Sequence, residues 1–326
     1  MTRFFADANY DFISVRRYAY WLTAILIIPG LLFTLITGLN YSIEFTGGTL
    51  IQIHATKPLD VGALRSELDR QGLHGAEIQS FGSDNGYTIR ARAAKVGTDA
   101  DNTQVTTDLV TTALDHLLGK GQYTVGRSGA VGPKVGGELR TKALLAIFLS
   151  FFAVLAYLAW RFEWRFGVAA VIATAHDILA TIAFIGIMRL EVSLTVVAAV
   201  LSMVGYSLND TIIIFDRVRE NLVRMRNASF AEILNRSVNE TLPRSILTHG
   251  TTLSTLLALT FLGGEVIRPF ALVMFFGVFT GTFSSIYIAS PVLMAIEQRW
   301  PGPHTHARKS RSAAASSTSR KAQPVG

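Results

Sequence analysis

The sequence contains no cysteine among its 326 residues. Disulfide bonds, iron–sulfur clusters, thiolate zinc sites and cysteine nucleophiles are therefore excluded. The absence leaves the redox environment of the chain open. Every folded domain of this protein must be stable without covalent cross-links.

Charged residues are also scarce. They make up 16% of the chain, whereas hydrophobic residues make up 50% and the mean hydropathy is +0.37. Soluble domains usually carry about 25% charged residues, so these proportions indicate an integral membrane protein rather than a soluble enzyme. The sequence also lacks a nucleophile–base set and metal-ligand spacing, and we expect no catalytic, cofactor-binding or metal site.

Six stretches of the chain are long and apolar enough to cross a bilayer, which takes about 20 residues. They are Tyr18–Leu39, Ala143–Trp160, Phe166–Met188, Leu194–Phe215, Leu242–Leu262 and Pro269–Ile296. We therefore expect one membrane-spanning helix at residues 18–39 and five more within 141–297. A separate amphipathic surface helix is expected at Phe230–Thr241, before the fifth span. Gly277-x-x-x-Gly281 in the sixth span predicts close helix packing.

The net charge of +7 is distributed unevenly along the chain. Arginine and lysine collect in residues 1–17, in the loops after the second and fourth spans, and in the tail 298–326. Basic loops stay on the cytoplasmic side of a membrane, so both termini are expected to be cytoplasmic. Serine, alanine and basic residues in the tail predict disorder. The charge thus indicates topology rather than specific binding of nucleic acid.

Residues 40–140, between the first two spans, have the composition of a soluble domain. Their pattern predicts a strand at Glu44–His54, a helix at Val61–Gln71, strands at Ala76–Phe81 and Tyr87–Ala93, a helix at Thr106–Leu118 and a strand at Tyr123–Val131. The order β-α-β-β-α-β is that of the ferredoxin-like unit. We therefore expect an α-helical bundle of six transmembrane helices with an inserted α+β ferredoxin-like extracytoplasmic domain, an architecture that by itself indicates no activity.

Ionisable residues also lie inside the predicted spans, where each costs about 2.5–3.5 kcal/mol at a helix centre. They are Asp177, Asp210 and Arg244. Asp210 and Arg244 occupy similar depths in consecutive antiparallel spans, roughly 6–9 Å from the cytoplasmic surface at a rise of about 1.5 Å per residue. The sequence predicts that they pair, either as a static ion pair or as an ion-coupling group. Asp177, beside His176, is a second candidate, with a buried polar contact as the open alternative.

Other polar residues lie near this predicted pair. Candidates for relaying hydrogen bonds or protons are Tyr206, Asn209, Thr211 and His249. The first three surround Asp210 in the sequence, and Asn209 is included with Asp177, Asp210 and Arg244 in the predicted proton pathway. His249 follows Arg244 by five residues and is either a proton relay or an interfacial polar residue.

Several motifs together resemble one known family. They are Tyr41–Thr49, Val131–Gly136, His176-Asp177, Gly205–Thr211, Asp216–Asn221, Thr241–Ser245 and Gly250–Leu253. Over residues 10–297 the chain resembles the SecF branch of the SecD/SecF family, protein-export membrane proteins with an RND-type (resistance–nodulation–division) bundle. Gly205–Thr211 is the most specific of these matches.

The resemblance implies a multi-pass subunit of the bacterial inner (plasma) membrane that works with SecD beside the SecYEG channel. After the SecA motor has pushed an unfolded preprotein through, such a pair completes translocation with the proton-motive force and without a chemical cofactor. YajC-like accessory subunits belong to the wider complex. The resemblance also implies that Asp210 and Arg244 carry the proton path. His249 departs from the family pattern, in which we expect serine in many relatives.

Two other interpretations stay open at this stage. The chain is alternatively a half-unit of a proton-coupled RND small-molecule efflux transporter, although such pumps usually carry two six-span halves in one chain. It is otherwise a scaffold without ion coupling. A single six-span unit needs a partner half, and this favours the secretion subunit.

Overall fold

The computed structural model describes residues 9–80, 85–91 and 99–302, without the side chains of residues 99–103, 133, 134, 159, 265 and 266. Most of the predicted disordered tail, residues 303–326, lies outside the described residues, as do residues 1–8 of the predicted cytoplasmic N-terminus. Over the described residues the chain is mostly helical.

The elements follow one another in two groups. The helices are α1 (Arg16–Thr37), α2 (Ile43–Thr46), α3 (Val61–Arg70), α4 (Asp99–Leu118), α5 (Pro133–Arg161), α6 (Trp164–Ile187), α7 (Leu194–Arg224), α8 (Phe230–Leu262), α9 (Gly264–Ser284) and α10 (Ser290–Arg299), with a π-helical turn (Ser285–Ala289) before α10. The strands are β1 (Asn40–Tyr41), β2 (Gly48–Ala55), β3 (Glu77–Ser80), β4 (Gly86–Ala91), β5 (Tyr123–Val131) and β6 (Glu191–Val192). A helical unit comprises Met1–Leu39, Leu149–Leu190 and Ala198–Gly326, and an α+β unit comprises Asn40–Phe148 and Glu191–Val197.

Six helical runs in the described part of the chain are long and apolar enough to cross a membrane. They are α1, α5, α6, α7, α8 and the run from α9 through α10. This confirms the predicted number of spans. Two helices extend further than their apolar stretches, since α5 begins at Pro133 and α7 continues past Phe215 to Arg224.

The amphipathic surface helix predicted at Phe230–Thr241 is wrong as a separate element, because it is continuous with the fifth span in α8. Ser229 and Glu232 form a capping box at the start of α8. Pro243 lies inside α8 without ending it, as prolines in membrane helices are tolerated when neighbouring groups satisfy the freed backbone. The change from polar to apolar residues therefore marks a change of surroundings along one helix.

Two glycines bring the backbones of α7 and α9 together. A Cβ added at Gly277 would lie 2.8 Å from the Cβ of Met203, and one added at Gly281 would lie 2.8 Å from the Cβ of Ser207. Side chains cannot approach so closely, so both positions accept only hydrogen without displacement. This confirms the predicted packing role of Gly277-x-x-x-Gly281 and fixes Ser207 against α9.

The α+β unit contains an antiparallel sheet in the order β3-β4-β2-β5. Leu64 and Leu68 of α3 and Val110 and Leu114 of α4 join buried side chains of the sheet, Ile51 among them, in one hydrophobic core. From β2 to β5 the elements follow in the order strand, helix, strand, strand, helix, strand. A short parallel pair of β1 and β6 also belongs to this unit.

The strand predicted at Glu44–His54 begins too early. Its first residues form the helical turn α2, where the Ser42 side chain accepts a hydrogen bond from the Glu44 backbone N–H. Gly47, with φ +73°, ends the turn, and β2 begins at Gly48. A local cap therefore overrides the strand pattern, because serine before a short helix satisfies a free backbone N–H.

The helix predicted at Thr106–Leu118 also begins earlier than expected, at Asp99, and ends at Leu118 as predicted. The strand predicted at Ala76–Phe81 is observed at Glu77–Ser80. Its last predicted residue, Phe81, lies outside the described residues, as do residues 92 and 93 at the end of the next predicted strand.

Candidate functional site

The ionisable residues predicted inside the membrane lie on different helices of the helical unit. Asp177 on α6 and Asp210 on α7 are buried, with 0% and 2% exposure, whereas the Arg244 side chain on α8 is exposed. Among the described residues, the hydrogen bond to the Asp210 carboxyl comes from Ser245 and not from Arg244, so the pairing of Asp210 with Arg244 stays a prediction. The next residue, Ser245, faces α7 instead, since consecutive helical residues point about 100° apart.

Asp210 has one hydrogen-bonding partner. The Ser245 hydroxyl donates to its Oδ1 at 2.5 Å. Its Oδ2 is buried and has no hydrogen-bond partner among the described residues, and the same holds for Nδ1 of His249. His249 lies one turn beyond Ser245 and is 5% exposed, and it acts electrostatically on Asp210 together with Arg244. The predicted neighbours of this carboxyl are thus near it, but one carboxyl oxygen has no partner in the described part of the chain.

Polar side chains continue from this site along the exposed faces of α7 and α8. They are Ser202, Tyr206 and Asn209 on α7, and Arg244, Thr248, Thr251 and Thr255 on α8. Both sets recur every three or four residues, so each follows one face of its helix. We call the two sets together the polar stripe. Polar groups in membrane spans normally face protein or a water-filled cavity, so the stripe is suited to a partner rather than to lipid.

A different kind of surface is seen on α1. Its exposed large side chains include Ile25, Ile28, Leu32, Leu35 and Ile36. These apolar side chains match the hydrocarbon interior of a bilayer. The polar stripe is therefore a local property of α7 and α8 rather than a general feature of the exposed helices.

Asp177 lies in a second polar cluster, formed by α6, α7 and α9. The hydroxyls of Ser207 and Ser284 lie 2.5 and 2.7 Å from its Oδ2, and Nδ1 of His176 lies 3.0 Å from its Oδ1. Ser207 is 2% exposed and Ser284 is fully buried. Both oxygens of this carboxyl therefore have partners inside the helical unit.

The predicted relay residues divide between the two clusters. Thr211 lies next to Asp210 in the sequence, but its Oγ1 is 2.8 Å from Oγ of Ser285, at the start of the π-helical turn. Tyr206 and Asn209 belong to the polar stripe. The structure thus brings Asp210 near His249, places Thr211 on the α9 side, and leaves Tyr206 and Asn209 exposed.

Serines are the site residues that sequence reasoning missed. Ser207, Ser245, Ser284 and Ser285 all make buried hydrogen bonds in the two clusters. Their spacing gave no usable signal, since Ser207 precedes Asp210 by three residues on the same helix but donates to Asp177. Serine pairs such as those at 284 and 285 also satisfy backbone groups and pack closely, so the residue type alone does not distinguish the two roles.

The charged segment Asp216–Asn221, at the end of α7, ties neighbouring helices together. The Asp216 carboxylate lies 2.9 Å from a guanidinium nitrogen of Arg161 on α5. Nε of Arg217 lies 2.6 Å from Oε2 of Glu240 on α8. The first pair thus joins α7 to α5 and the second joins α7 to α8, both within two turns of Asp210.

The chemistry available in these clusters is that of carboxyl, imidazole and hydroxyl groups, which hold and transfer protons. Outside the membrane helices, Glu67 and His116 of the α+β unit form a separate ion pair at 3.2 Å. The described part of the chain contains no group of three or more His, Asp or Glu residues placed to hold a metal ion.

Two family models match the chain. The model for "Protein export membrane protein SecD/SecF, C-terminal" matches residues 110–299, which contain both clusters. The model for "SecD/SecF GG Motif" matches residues 33–59, which contain Gly47 and Gly48. The two matches together cover parts of both units.

Named relatives are similar over most of the chain. It is 55% identical over 304 residues to "Protein translocase subunit SecF" of Gemmatimonas aurantiaca, covering 92% of this chain and 91% of that protein. It is 41% identical to the protein of the same name from Desulfurispirillum indicum, with 90% and 93% covered. It is 38% identical to "Protein translocase subunit SecDF" of Thermus thermophilus, covering 90% of this chain and 39% of that protein.

Solved structures resemble the chain as well. A crystal structure of SecDF from Thermus, described as a translocon-associated membrane protein, matches 90% of this chain with a TM-score of 0.78 and 37% identity. A crystal structure of SecDF in a super-membrane-facing form matches 95% with a TM-score of 0.66 and 35% identity. The chain spans 39% and 40% of the lengths of those two chains.

Proposed function

The chain belongs to the SecD/SecF family of protein-export membrane proteins, and we propose that it acts as a SecF-type subunit of a protein translocase. In this role it works with a SecD-type partner beside the SecYEG channel. The pair completes the export of unfolded preproteins by using the proton-motive force, with no chemical cofactor and no catalytic chemistry. The relatives found are named translocase subunits, and nothing in them favours the small-molecule efflux interpretation.

The polar stripe is the observation that carries this proposal. An exposed arginine on a membrane helix is costly against lipid, and it adjoins a buried carboxyl, Asp210, one oxygen of which has no hydrogen-bond partner among the described residues. A second helical unit packed on this face would cover the stripe and supply partners for that oxygen. The relative named SecDF is longer than this chain, which matches 39% of it. A partner half in a separate chain is consistent with that difference in length.

In the proposed cycle, Asp210 alternates between two environments. With Ser245 facing it, the carboxyl is buried without a contacting positive charge, and burial disfavours the charged form. A movement of α8 that brings Arg244 to the carboxylate favours the charged form. A proton taken up on one side and released on the other thereby moves α8 against α7. Asn209, Tyr206, Thr211 and His249 are proposed to relay hydrogen bonds or protons, and Asp177 is a further proposed member of the path.

We extend the proposal to the α+β unit and to topology. The antiparallel sheet with two covering helices and its strand–helix–strand–strand–helix–strand order fit the ferredoxin-like class. Residues 40–140 are proposed to be extracytoplasmic and to handle the emerging preprotein, with both termini cytoplasmic in the inner membrane. SecA and YajC-like subunits are proposed partners in the wider complex.

The experiment measures proton-dependent preprotein release in inverted membrane vesicles that contain the chain and its partner subunits. Asp210→Asn and Arg244→Met are each expected to abolish the stimulation by the proton-motive force. Asp69→Asn and Arg226→Met are matched controls, since they remove an exposed charge of the same sign outside the membrane helices. Full stimulation in either membrane variant would rule out the coupling role.

A further inference from the structure

The carboxyl of Asp177 has no assigned role beyond its proposed membership of the proton path, and its hydrogen bonds have a feature that the Asp210 site lacks. Oγ of Ser284 lies 2.7 Å from Oδ2 of Asp177 and 3.1 Å from the carbonyl oxygen of Gly281. A serine hydroxyl carries one hydrogen and can donate to only one of these acceptors at a time. The position of that hydrogen therefore depends on whether Oδ2 of Asp177 carries a proton.

Both protonation states of Asp177 satisfy the serine hydroxyls of the cluster. When the carboxyl is charged, Ser284 and Ser207 both donate to Oδ2. When Oδ2 carries a proton, it donates that proton to Oγ of Ser284, and Ser284 donates its own hydrogen to the carbonyl of Gly281. The Ser207 hydroxyl keeps its acceptor in either state. One proton is thus gained or lost without leaving a buried hydroxyl unsatisfied, which is the condition for a reversible site.

Few other charged groups face this carboxyl. His176 is in contact with Oδ1, and its Nε2 is buried without a hydrogen-bond partner among the described residues. Residues 271–284 of α9 contain no titratable side chain. The remaining titratable or charged residues on the elements around the cluster are Tyr206, Asp210, Asp216, Arg217, Arg219, Glu220 and Arg224 on α7, Glu265 and Arg268 near the start of α9, Tyr287 in the π-helical turn, Arg16, Arg17, Tyr18 and Tyr20 at the start of α1, Arg165 on α6, and Glu297 and Arg299 on α10.

We propose that Asp177 is a second proton-binding site and that its proton sets the direction of the Ser284 hydrogen bond, toward α6 or within α9. The inference rests on the proposed function, because it adds a site to the same proton-coupled cycle. His176 is the group through which the proton enters or leaves, since its Nδ1 lies 3.0 Å from Oδ1 of Asp177 and its Nε2 has no hydrogen-bond partner among the described residues.

The Asp177 cluster is connected to Asp210 through α7. Ser285, which follows Ser284, begins the π-helical turn, and its hydroxyl contacts Oγ1 of Thr211 at 2.8 Å. Thr211 adjoins Asp210, and Ser207 lies one turn before it. Single π-helical turns occur often at functional sites. A change in the Ser284 hydrogen bond thus reaches α7, the helix that carries Asp210, through two buried hydroxyl contacts. They are Ser285 with Thr211 and Ser207 with Asp177.

The direct test is infrared difference spectroscopy of the full chain with its partner subunits in lipid, titrated with acid and base. We expect a carbonyl band of a protonated carboxyl that disappears in Asp177→Asn and persists in Asp210→Asn. Ser284→Ala is expected to move the frequency and the titration midpoint of that band. Thr181→Val is the matched control, because this fully buried hydroxyl donates to the backbone carbonyl of Asp177 at 2.8 Å and leaves its carboxyl untouched.

Export in vesicles provides the second readout. Asp177→Asn is expected to lower the stimulation by the proton-motive force about tenfold, within the range of coupling between linked sites, whereas Thr181→Val leaves it unchanged. If no carboxyl band depends on Asp177 at any pH while Asp210→Asn still abolishes stimulation, the second site is wrong and the proposed function stands. If Asp210→Asn leaves stimulation intact, the proposed function itself fails.

Discussion

Two buried carboxyls on neighbouring helices of the same unit have opposite surroundings. Asp177 has partners on both oxygens, from His176, Ser207 and Ser284. Asp210 has a single partner, Ser245, and its second oxygen has none among the described residues. One site is complete within the chain, whereas the other borders the polar stripe and is incomplete.

The difference teaches that burial alone does not define the role of a carboxyl in a membrane protein. Buried polar groups are nearly always hydrogen-bonded, so an exception needs a partner molecule, a water or a proton. Asp210 meets that description and borders the polar stripe, where we propose that a second protein packs. Both oxygens of Asp177 have partners among the described residues, and in our proposal its proton is gained or lost by rearranging a serine hydroxyl.

The sharpest test of this comparison is the cost of removing each carboxyl. Asp177→Ala removes the acceptor of Ser207 and His176, turns the Ser284 hydroxyl to the carbonyl of Gly281 and opens a cavity, so we expect a loss of about 3 kcal/mol in the free energy of unfolding. Asp210→Ala releases only Ser245 and removes an unsatisfied oxygen, so we expect a loss of at most about 1 kcal/mol. Denaturant unfolding of the full chain in mixed micelles measures both. Equal losses would show that the two sites do not differ as described.

A second prediction concerns the packing that closes the Asp177 cluster. A Cβ at Gly281 would lie 2.8 Å from the Cβ of Ser207, whereas a Cβ at Gly205 meets nothing within 4 Å. We therefore expect Gly281→Ala to push Ser207 away from Asp177 and to cost about 1–3 kcal/mol. Gly205→Ala, the matched control on α7, is expected to stay within about 0.5 kcal/mol. The same unfolding measurement decides, and a neutral Gly281→Ala would mean that α9 can move away freely.

These contrasts also explain what could be predicted from the sequence. The six spans were predictable because hydropathy over about 20 residues depends only on composition. Asp177, Asp210 and Arg244 were found because a charge in such a run is costly wherever its side chain points. Residue type therefore predicts which residues are candidates for the site, but it does not predict how their side chains are arranged.

Two features could not be predicted, because composition does not encode them. They are the rotation of a helix about its own axis and the continuity of a helix through a change of surroundings. Depth in the membrane predicts Arg244 as the partner of Asp210, and it could not predict the hydrogen bond from the next residue, Ser245, which depends on the rotation of α8. The hydrogen bond of Ser284 with Asp177 could not be predicted for the same reason, because it depends on α9 lying against α6. The break predicted before residue 242 failed because a helix continues through a change of surroundings when no capping residue stops it.

A third prediction sharpens the description of Asp210 as the open site. His249 acts on Asp210 electrostatically and has a free Nδ1, so His249→Ser removes the titratable neighbour of the carboxyl. We expect the maximal export stimulation to be kept and its pH dependence to shift by up to about 1 pH unit. His74→Ser, at an exposed histidine of the α+β unit, is the control. An unchanged pH profile would assign His249 to packing alone.

The smallest expected effect lies outside the membrane helices, at a carboxyl whose histidine partner is exposed to water. A hydrogen bond from His116 is the main cause that holds the pKa of Glu67 below its ordinary value of 4.5, with Gln71 and Arg70 adding to it. A carboxyl with a lowered pKa stabilises the fold above its unfolded pKa, and this contribution disappears as the pH falls through the folded value. His116 is 62% exposed, so solvent screening keeps the effect small.

We therefore expect the protection of amides in α3 and α4 of the full chain, measured relative to the intrinsic exchange rate at each pH, to fall slightly when the pH drops below about 4.5, the ordinary range of a glutamate. Glu67→Gln should exchange faster at neutral pH and lose this acid dependence, because the amide cannot be protonated. Asp69→Asn, on the same helix but half-exposed, should keep it. If Glu67→Gln and Asp69→Asn behave alike, the His116 contact does not stabilise the α+β unit. Acid sensitivity of the α+β unit would then come from other carboxyls, and the comparison of carboxyl sites would rest on Asp177 and Asp210 alone.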